Sequence, residues 1–501
     1  MTRLSLRTLA LAIPLWGVSY AAGASFDQVI SESEAATHGL RRAWVAQAEV
    51  GNRSRLQNLL LDRGTIFAQT DRAMVQAYDA ETGKPLWAAT KQIGNPMFPS
   101  VPMGANAKLV AVANGTHLYV MNRFTGETLL ERHVEGCPGG GLALSDRRVY
   151  VPMIDGMVMA FRVKPLTDPL KELGKTKGAK EEVTDVQALQ DYRVSQDVIP
   201  PLACQSLGRT FVQPVVMRES DDDEYVAWPT DRGLLCVGRI SRIEEDNFTV
   251  KYRLETGAEI AITPTYLPPK TVNEPGTIFI ASRDGFVHAL SDKTGASLWR
   301  FPAGGPVVQP LGLIGGNLYV PTQLGGMFCL DAKTGKQKWW APQIAQFVAA
   351  SKDRLYGTDK TEQLQVLDLQ TGSRIDTIPI AGLSMRLFNQ QTDRIYLASP
   401  GGLMQCFHEE QLSTPLQYIV EPKKPEKVEK PEKKPLPKAE PGEKKPPAER
   451  PAKKPPAEKK APADKPVKTP KTPKTKAGKK GAAAGDQGGF GADANPFGGA
   501  K

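Results

Sequence analysis

A ten-residue turn recurs along this chain at a spacing near forty residues. It reads YDAETGKPLW at 78 to 87, MNRFTGETLL at 121 to 130, LSDKTGASLW at 290 to 299, LDAKTGKQKW at 330 to 339 and LDLQTGSRID at 367 to 376. Gly83 and Gly126 lie 43 residues apart, Gly295 and Gly335 lie 40 apart, and Gly335 and Gly372 lie 37 apart. A period of this size confines the chain to an array of similar small units, each long enough for about four short strands.

The turn chemistry supports that reading. Asp79 and Asp331 can accept hydrogen bonds from backbone N–H groups further round the turn, closed by Thr82, Thr125, Thr294, Thr334 and Thr371. The glycines that follow supply the positive φ of a tight strand-to-strand turn. Trp87, Trp299 and Trp339, four residues past the glycine, are placed on an outer strand where a flat side chain can cover the next unit. Upstream of the turns, runs such as TIFAQTDRAMVQAY and NLYVPTQLGGMFCL alternate with period two and break at Gly, Asp or Asn, the pattern of a hairpin. Eight such hairpins start near residues 65, 109, 148, 225, 277, 317, 354 and 394. LRRAWVAQAEV at 40 to 50 reads as an outer strand with no hairpin before it, and RIYLASPGGLMQCF at 394 to 407 as a hairpin with no outer strand after it. Pairing the two closes a ring and removes both open edges.

The expected fold is therefore all-β: an eight-bladed β-propeller of four-stranded antiparallel blades over 40–419, followed by a disordered tail. Thr256-Gly257 imitates the turn but follows the strand FTVKYRL, so SRIEEDN is assigned as the turn of the fourth blade. The third blade lacks Thr-Gly and carries a charged insertion at 164–191.

Ala77, Asp79, Thr82, Gly83 and Trp87 match the docking pattern A-x-D-x-x-T-G-x-x-x-W, and the chain resembles the quinoprotein-type (PQQ-like) propeller repeats across about residues 40 to 410. That resemblance implies the fold and leaves two functional branches open. One contains the PQQ-dependent dehydrogenases, with a quinone and Ca²⁺ on the axis. The other contains non-catalytic scaffolds similar to BamB of the outer-membrane β-barrel assembly machinery.

The residues favour the scaffold branch. The adjacent cysteine pair of many such dehydrogenases is missing; Cys236, Cys329 and Cys406 occupy the small-residue position taken by Ala77 elsewhere, and Cys137 and Cys204 fall in connections where they could pair. The candidates for lining the channel, Gln57, Gln213, Thr263, Gln309, Gln346 and Arg386, include no carboxylate for Ca²⁺. The five histidines are scattered, without zinc or haem spacing, and no nucleophile–base pair or P-loop is found. No catalytic residue, metal ligand or cofactor is assigned. The alternative is a PQQ-binding oxidoreductase or ligand sensor using Gln213, Thr263, Gln309 and Arg386.

The net charge of +10 invites a nucleic-acid reading until its location is considered. Residues 421–501 hold 22 basic and 11 acidic side chains, leaving the preceding chain at −1. Residues 1–24, with Arg3 and Arg7 before an apolar run and Ala22-Gly23-Ala24 after it, read as a Sec signal peptide, and 25–39 as a lead-in. The absence of a Cys after the apolar run argues against a lipid anchor. These features place the protein in the periplasm or cell envelope, with secretion as the alternative. The tail 420–501 is Lys/Pro-rich, then Gly-rich, and cannot bury enough apolar surface to order itself. It is expected to act as a spacer or as an electrostatic tether to an anionic envelope polymer. Its Lys-rich part has no aromatics for base stacking, so no nucleic-acid partner is expected. The expected partners are envelope or outer-membrane proteins, bound by a monomer.

Overall fold

The computed structural model describes residues 29–87, 91–163, 201–219, 223–241, 247–269, 274–380 and 382–418. The expected signal peptide at 1–24, the insertion at 164–191, most of the SRIEEDN turn and the expected tail at 420–501 lie outside the described residues.

Eight four-stranded antiparallel sheets make up the propeller. From the axis outward, blade 1 comprises Leu56–Asp62, Thr65–Thr70, Met74–Asp79 and Lys91–Gln92. Blade 2 comprises Gly104–Ala105, Leu109–Asn114, His117–Asn122 and Thr128–His133. Blade 3 comprises Ala143–Leu144, Arg148–Pro152, Met157–Arg162 and Leu202–Gln205. Blade 4 comprises Val215–Glu219, Asp223–Pro229, Leu234–Ser241 and Asn247–Glu255. Blade 5 comprises Thr265–Leu267, Thr277–Ala281, Phe286–Ser291 and Ser297–Pro302. Blade 6 comprises Gly312–Ile314, Asn317–Thr322, Gly326–Asp331 and Gln337–Ala341. Blade 7 comprises Ile344–Ala350, Arg354–Asp359, Leu364–Asp368 and Arg374–Ile378. Blade 8 takes Met385–Arg386, Ile395–Ala398 and Leu403–Glu409 from the end of the repeat region, and its outer strand is Leu40–Gln47.

Burial explains the composition of the strands. The second strand of each blade is pressed between two neighbouring sheets, so TIFAQT of blade 1 and LVAVAN of blade 2 are buried at every position. Outer strands face a neighbour on one side only. Thr128–His133 and Asn247–Glu255 accordingly alternate between more and less exposed residues. A short helix, Glu32–Thr37, capped by Ser31, precedes the closing strand and packs Ile30 and Ala35 between blades 7 and 8.

Neighbouring blades are joined by one repeated contact. The indole N–H of Trp44 donates to Ala80 O (2.9 Å), Trp87 to Arg123 O (2.9 Å), Trp299 to Ala332 O (3.1 Å) and Trp339 to Leu369 O (3.0 Å). In each case the acceptor lies in the Thr-Gly turn of the following blade, and the indole covers that turn's glycine. A Cβ on Gly335 would stand 2.5 Å from Trp299, and one on Gly83 2.5 Å from Trp44. Tyr252 plays the same part between blades 4 and 5, its hydroxyl donating to Asp292 O (3.0 Å) over Gly295. Within the turns, Asp79 and Asp331 each accept from the backbone N–H and hydroxyl of the threonine three residues on.

Two local expectations need correction, and one turn departs from the repeat. Trp87 is not in a strand; Pro85 bridges to Tyr78, and the indole reaches the turn of blade 2. Asp292 of LSDKTG does not close its own turn, because it sits two rather than three residues before Thr294. It accepts instead from Gly276 N and Tyr266 Oη. Cys204 lies on the outer strand of blade 3, in an apolar cluster with Cys236, rather than in a connection.

Candidate functional site

Antiparallel strands send successive connections to opposite ends of each blade, so the propeller has two chemically distinct faces. One carries the Thr-Gly turns and the hairpins between first and second strands; we call it the turn face. The other, the crossover face, carries the remaining hairpins and the connections from each outer strand to the next blade.

The crossover face exposes large apolar side chains from its loops: Met97 (79% exposed), Phe98, Ile154, Leu207, Phe211 and Leu324 (73% exposed). Phe124 is the exposed counterpart in a Thr-Gly turn of the opposite face. The sector over blades 2 to 4 is continuous because glycines let its crossovers touch. Phe98 lies on Gly115, and an added Cβ there would meet its ring at 3.0 Å. Gly139 fits between Thr210 O and Ile154, and Gly140 lies against the backbone of Phe211. Ile154 N donates to Cys137 O (3.0 Å), and the Thr210 hydroxyl donates to Met153 O (2.8 Å), tying the crossovers to the blade 3 hairpin. Arg209 pairs with Asp231 (3.1 Å) and lies over the Phe211 ring (5.7 Å), adding a polar margin. Exposed aromatic and aliphatic side chains with a charged edge are the chemistry of a protein-binding surface.

Beneath this face the axis holds a cavity of about 530 Å³. Gln213 and Thr263 line it, and the Gln213 amide donates to Leu142 O (2.5 Å). Gln57, Gln309, Gln346 and Arg386 are not among the residues lining this cavity, which include Pro310, Leu387, Gln390 and Gln391 beside Leu59, Leu60 and Leu61. Blades stand edge-on to the axis, so an inner-strand side chain can point sideways at a neighbouring blade. Arg386 illustrates this, reaching Glu362 of blade 7 at 3.5 Å. The lining carboxylate, Asp62, is bonded to the buried guanidinium of Arg123 from blade 2. Gln390 Oε1 is buried without a hydrogen-bond partner.

All five cysteines are free, so the pairing of Cys137 with Cys204 is not formed. Burial pushes the Cys204 thiol up to about 11 and the Cys329 thiol up to about 12, which suppresses the reactive thiolate. Among the described residues, no group of three or more His, Cys, Asp or Glu side chains is placed to hold a metal ion. Nor is any described helix long and apolar enough to cross a membrane. Two features were missed from the sequence. Arg148 and Glu224, 76 residues apart, form a fully buried ion pair between blades 3 and 4, joined by the hydroxyls of Ser145 (2.8 Å) and Tyr150 (3.1 Å). His117 and His133, read as scattered, stand directly opposite one another on blade 2.

The family model described as outer membrane protein assembly factor BamB matches residues 41–165 and 255–391. No curated protein matches the sequence. Among solved structures, BamB from Moraxella catarrhalis is similar at 13% identity and a TM-score of 0.51, over 74% of this chain and 98% of that one. The computationally designed Ika8 protein is similar at 13% identity and a TM-score of 0.51, over 72% of this chain and 98% of that one. The quinohemoprotein alcohol dehydrogenase of Comamonas testosteroni gives 11% identity and a TM-score of 0.49, over 75% and 78% of the two chains. At these identities the structural likeness concerns the fold alone.

Proposed function

The chain belongs to the family of the outer membrane protein assembly factor BamB, and from that premise we propose that it is a non-catalytic scaffold of the cell envelope that binds outer-membrane assembly proteins. The observation that carries this is the gathering of Phe98, Ile154, Leu207 and Phe211 on the crossover face of blades 2 to 4. An apolar sector on rigid blades is suited to holding a partner, and the geometry offers no chemistry to go with it. Export by residues 1–24 would bring the propeller to such partners. The basic 420–501 tail would serve as spacer or tether; binding of the full chain to an anionic polymer should then weaken as salt is added.

The test is cross-linking and capture from envelope material with the full chain and three variants. Leu207→Asp and Phe211→Asp should each lose the captured assembly protein, whereas Phe124→Asp on the turn face should keep it. Equal capture by all three would remove the crossover face from the account.

A second reading is a ligand in the channel, as in a quinone-binding oxidoreductase or sensor. It rests on the cavity of about 530 Å³ and the unpaired Gln390 Oε1. The engagement of Asp62 by Arg123 leaves that cavity poorly equipped for a Ca²⁺-bound quinone. Titration with PQQ and Ca²⁺, followed by absorbance and thermal stability, separates the readings, since saturable binding with a raised melting temperature would favour the ligand.

A further inference from the structure

The third and outer strands of blade 2 run antiparallel with His117 opposite His133 and Tyr119 opposite Glu131. The period of two puts His117 and Tyr119 on one side of their strand, and Glu131 and His133 on the same side of the next. The two imidazole rings meet at 5.2 Å between centroids with planes 67° apart. His133 and Glu131 are exposed, and His117 and Tyr119 are half-buried. Tyr119 stacks on His117 at 6.3 Å, and its hydroxyl is bonded to Glu131. The cluster lies on the side of blade 2 that faces blade 1, where Tyr119 packs on the apolar cluster that the two blades share.

We propose that His117 and His133 form a two-histidine binding site for a first-row divalent cation such as Zn²⁺ or Cu²⁺. Imidazole nitrogen suits these borderline ions. With metal–nitrogen bonds of about 2.0–2.1 Å and tetrahedral angles, two imidazoles on one ion stand with ring centres about 5 Å apart. The spacing in blade 2 matches that separation. The strands that carry the rings are fixed by an unbroken ladder from Val120 to His117, so little ordering of the backbone is required on binding. Glu131, tied to Tyr119, adds negative charge on the same side of the sheet as the two rings. Two protein ligands leave positions for water or for a donor from another molecule. The site lies at the rim of the crossover face, next to Phe98 on Gly115.

The experiment is calorimetric titration of the full chain, purified without a polyhistidine tag, with Zn²⁺. Saturable one-to-one binding is expected, weakened at least about tenfold by His117→Asn or His133→Asn, since even loss of an outer-shell partner costs 10–100-fold. Glu131→Gln should weaken it less, and His38→Asn, remote from blade 2, should leave it intact. Wild-type protein loaded with Cu²⁺ should show imidazole-nitrogen coupling in its electron paramagnetic resonance spectrum. Absence of saturable binding, binding undiminished in the His117→Asn/His133→Asn double variant, or a Cu²⁺ spectrum without imidazole coupling would each overturn the site. The last readout needs no variant and decides the matter if the substituted chains fail to fold.

Discussion

Blade 6 carries two glycines in the left-handed region with opposite surroundings, and they isolate the energy of blade docking. Gly335 has φ +70 and the Trp299 indole above it, with a Cβ placed 2.5 Å from Cδ2. Gly315 has φ +58 and nothing within 4 Å. Alanine at Gly315 should therefore cost only the backbone term, about 1 kcal/mol. Alanine at Gly335 incurs the same term and must displace the indole by about 1 Å, an overpacking cost of about 1–3 kcal/mol. Moving the ring also breaks its hydrogen bond to Ala332 O, worth about 1 kcal/mol. The sum is about 3–5 kcal/mol against about 1. Urea unfolding of the two variants should show this gap in free energy at unchanged slope. In a Trp299→Ala background the clash disappears, and Gly335→Ala should then cost about 1 kcal/mol more than Trp299→Ala alone. Equal losses for Gly335→Ala and Gly315→Ala would refute the docking account.

Other outcomes follow from the same contacts. Arg148→Ala strands the buried Glu224 carboxylate and should destabilise by about 3–5 kcal/mol in urea unfolding, while Arg148→Met with Glu224→Leu should lose much less. Trp44→Ala should cost about 3–5 kcal/mol and raise amide exchange selectively in Leu40–Gln47 and Leu403–Glu409, because it opens the ring at its seam. Burial, then the Arg300 charge, holds the His288 imidazole below its ordinary value. A depressed folded value means that this contribution is present above the unfolded value, about pH 6.5, and is lost as pH falls through the folded one. His288→Leu should flatten the decline in unfolding free energy on acidification, and an unchanged slope would contradict the assignment. The Thr334 hydroxyl and N–H hold the Asp331 carboxyl below its usual range, so Thr334→Val should reduce stability lost between about pH 5 and pH 2, read from urea midpoints across that window.

The repeat was legible because local chemistry carries it: Asp, Thr and Gly close one turn, and period-two runs mark each hairpin. Docking was legible for Trp299 and Trp339, which follow their own Thr-Gly at fixed distance. Trp44 was visible only as part of an orphan strand, and Tyr252 was hidden because its blade lacks the Thr-Gly signal and replaces indole with phenol. Arg386 turns to Glu362 of blade 7, which its place on an inner strand does not reveal, since that place does not say whether a side chain points to the axis or to a neighbour. Arg148 is the first and Glu224 the second residue of its strand, where a polar residue is ordinary, and the pairing depends on a blade-to-blade register that no local pattern encodes. His117 and His133 were in principle readable, because the FTG turn between them fixes the hairpin register that sets them opposite.

The Trp docking contacts and the buried blade-to-blade ion pairs share a location that bears on function. Trp–carbonyl docking, Arg148–Glu224, Arg123–Asp62 and the Arg394 contact to Glu81 all lie towards the turn face. The Trp docking contacts and the buried ion pairs thus lock the ring from the turn face, while the crossovers of the other side are tied by hydrogen bonds such as Thr210 to Met153 O and by exposed pairs such as Arg209–Asp231. Glycine and proline let the crossovers approach closely and expose Leu207 and Phe211 at little cost to closure. Leu207→Asp and Phe211→Asp should accordingly stay within about 0.5 kcal/mol of the parent in urea, the range of ordinary surface substitutions. If either destabilised the chain as strongly as Gly335→Ala, the crossover face would be part of the lock, and loss of partner capture by these variants would reflect unfolding rather than binding.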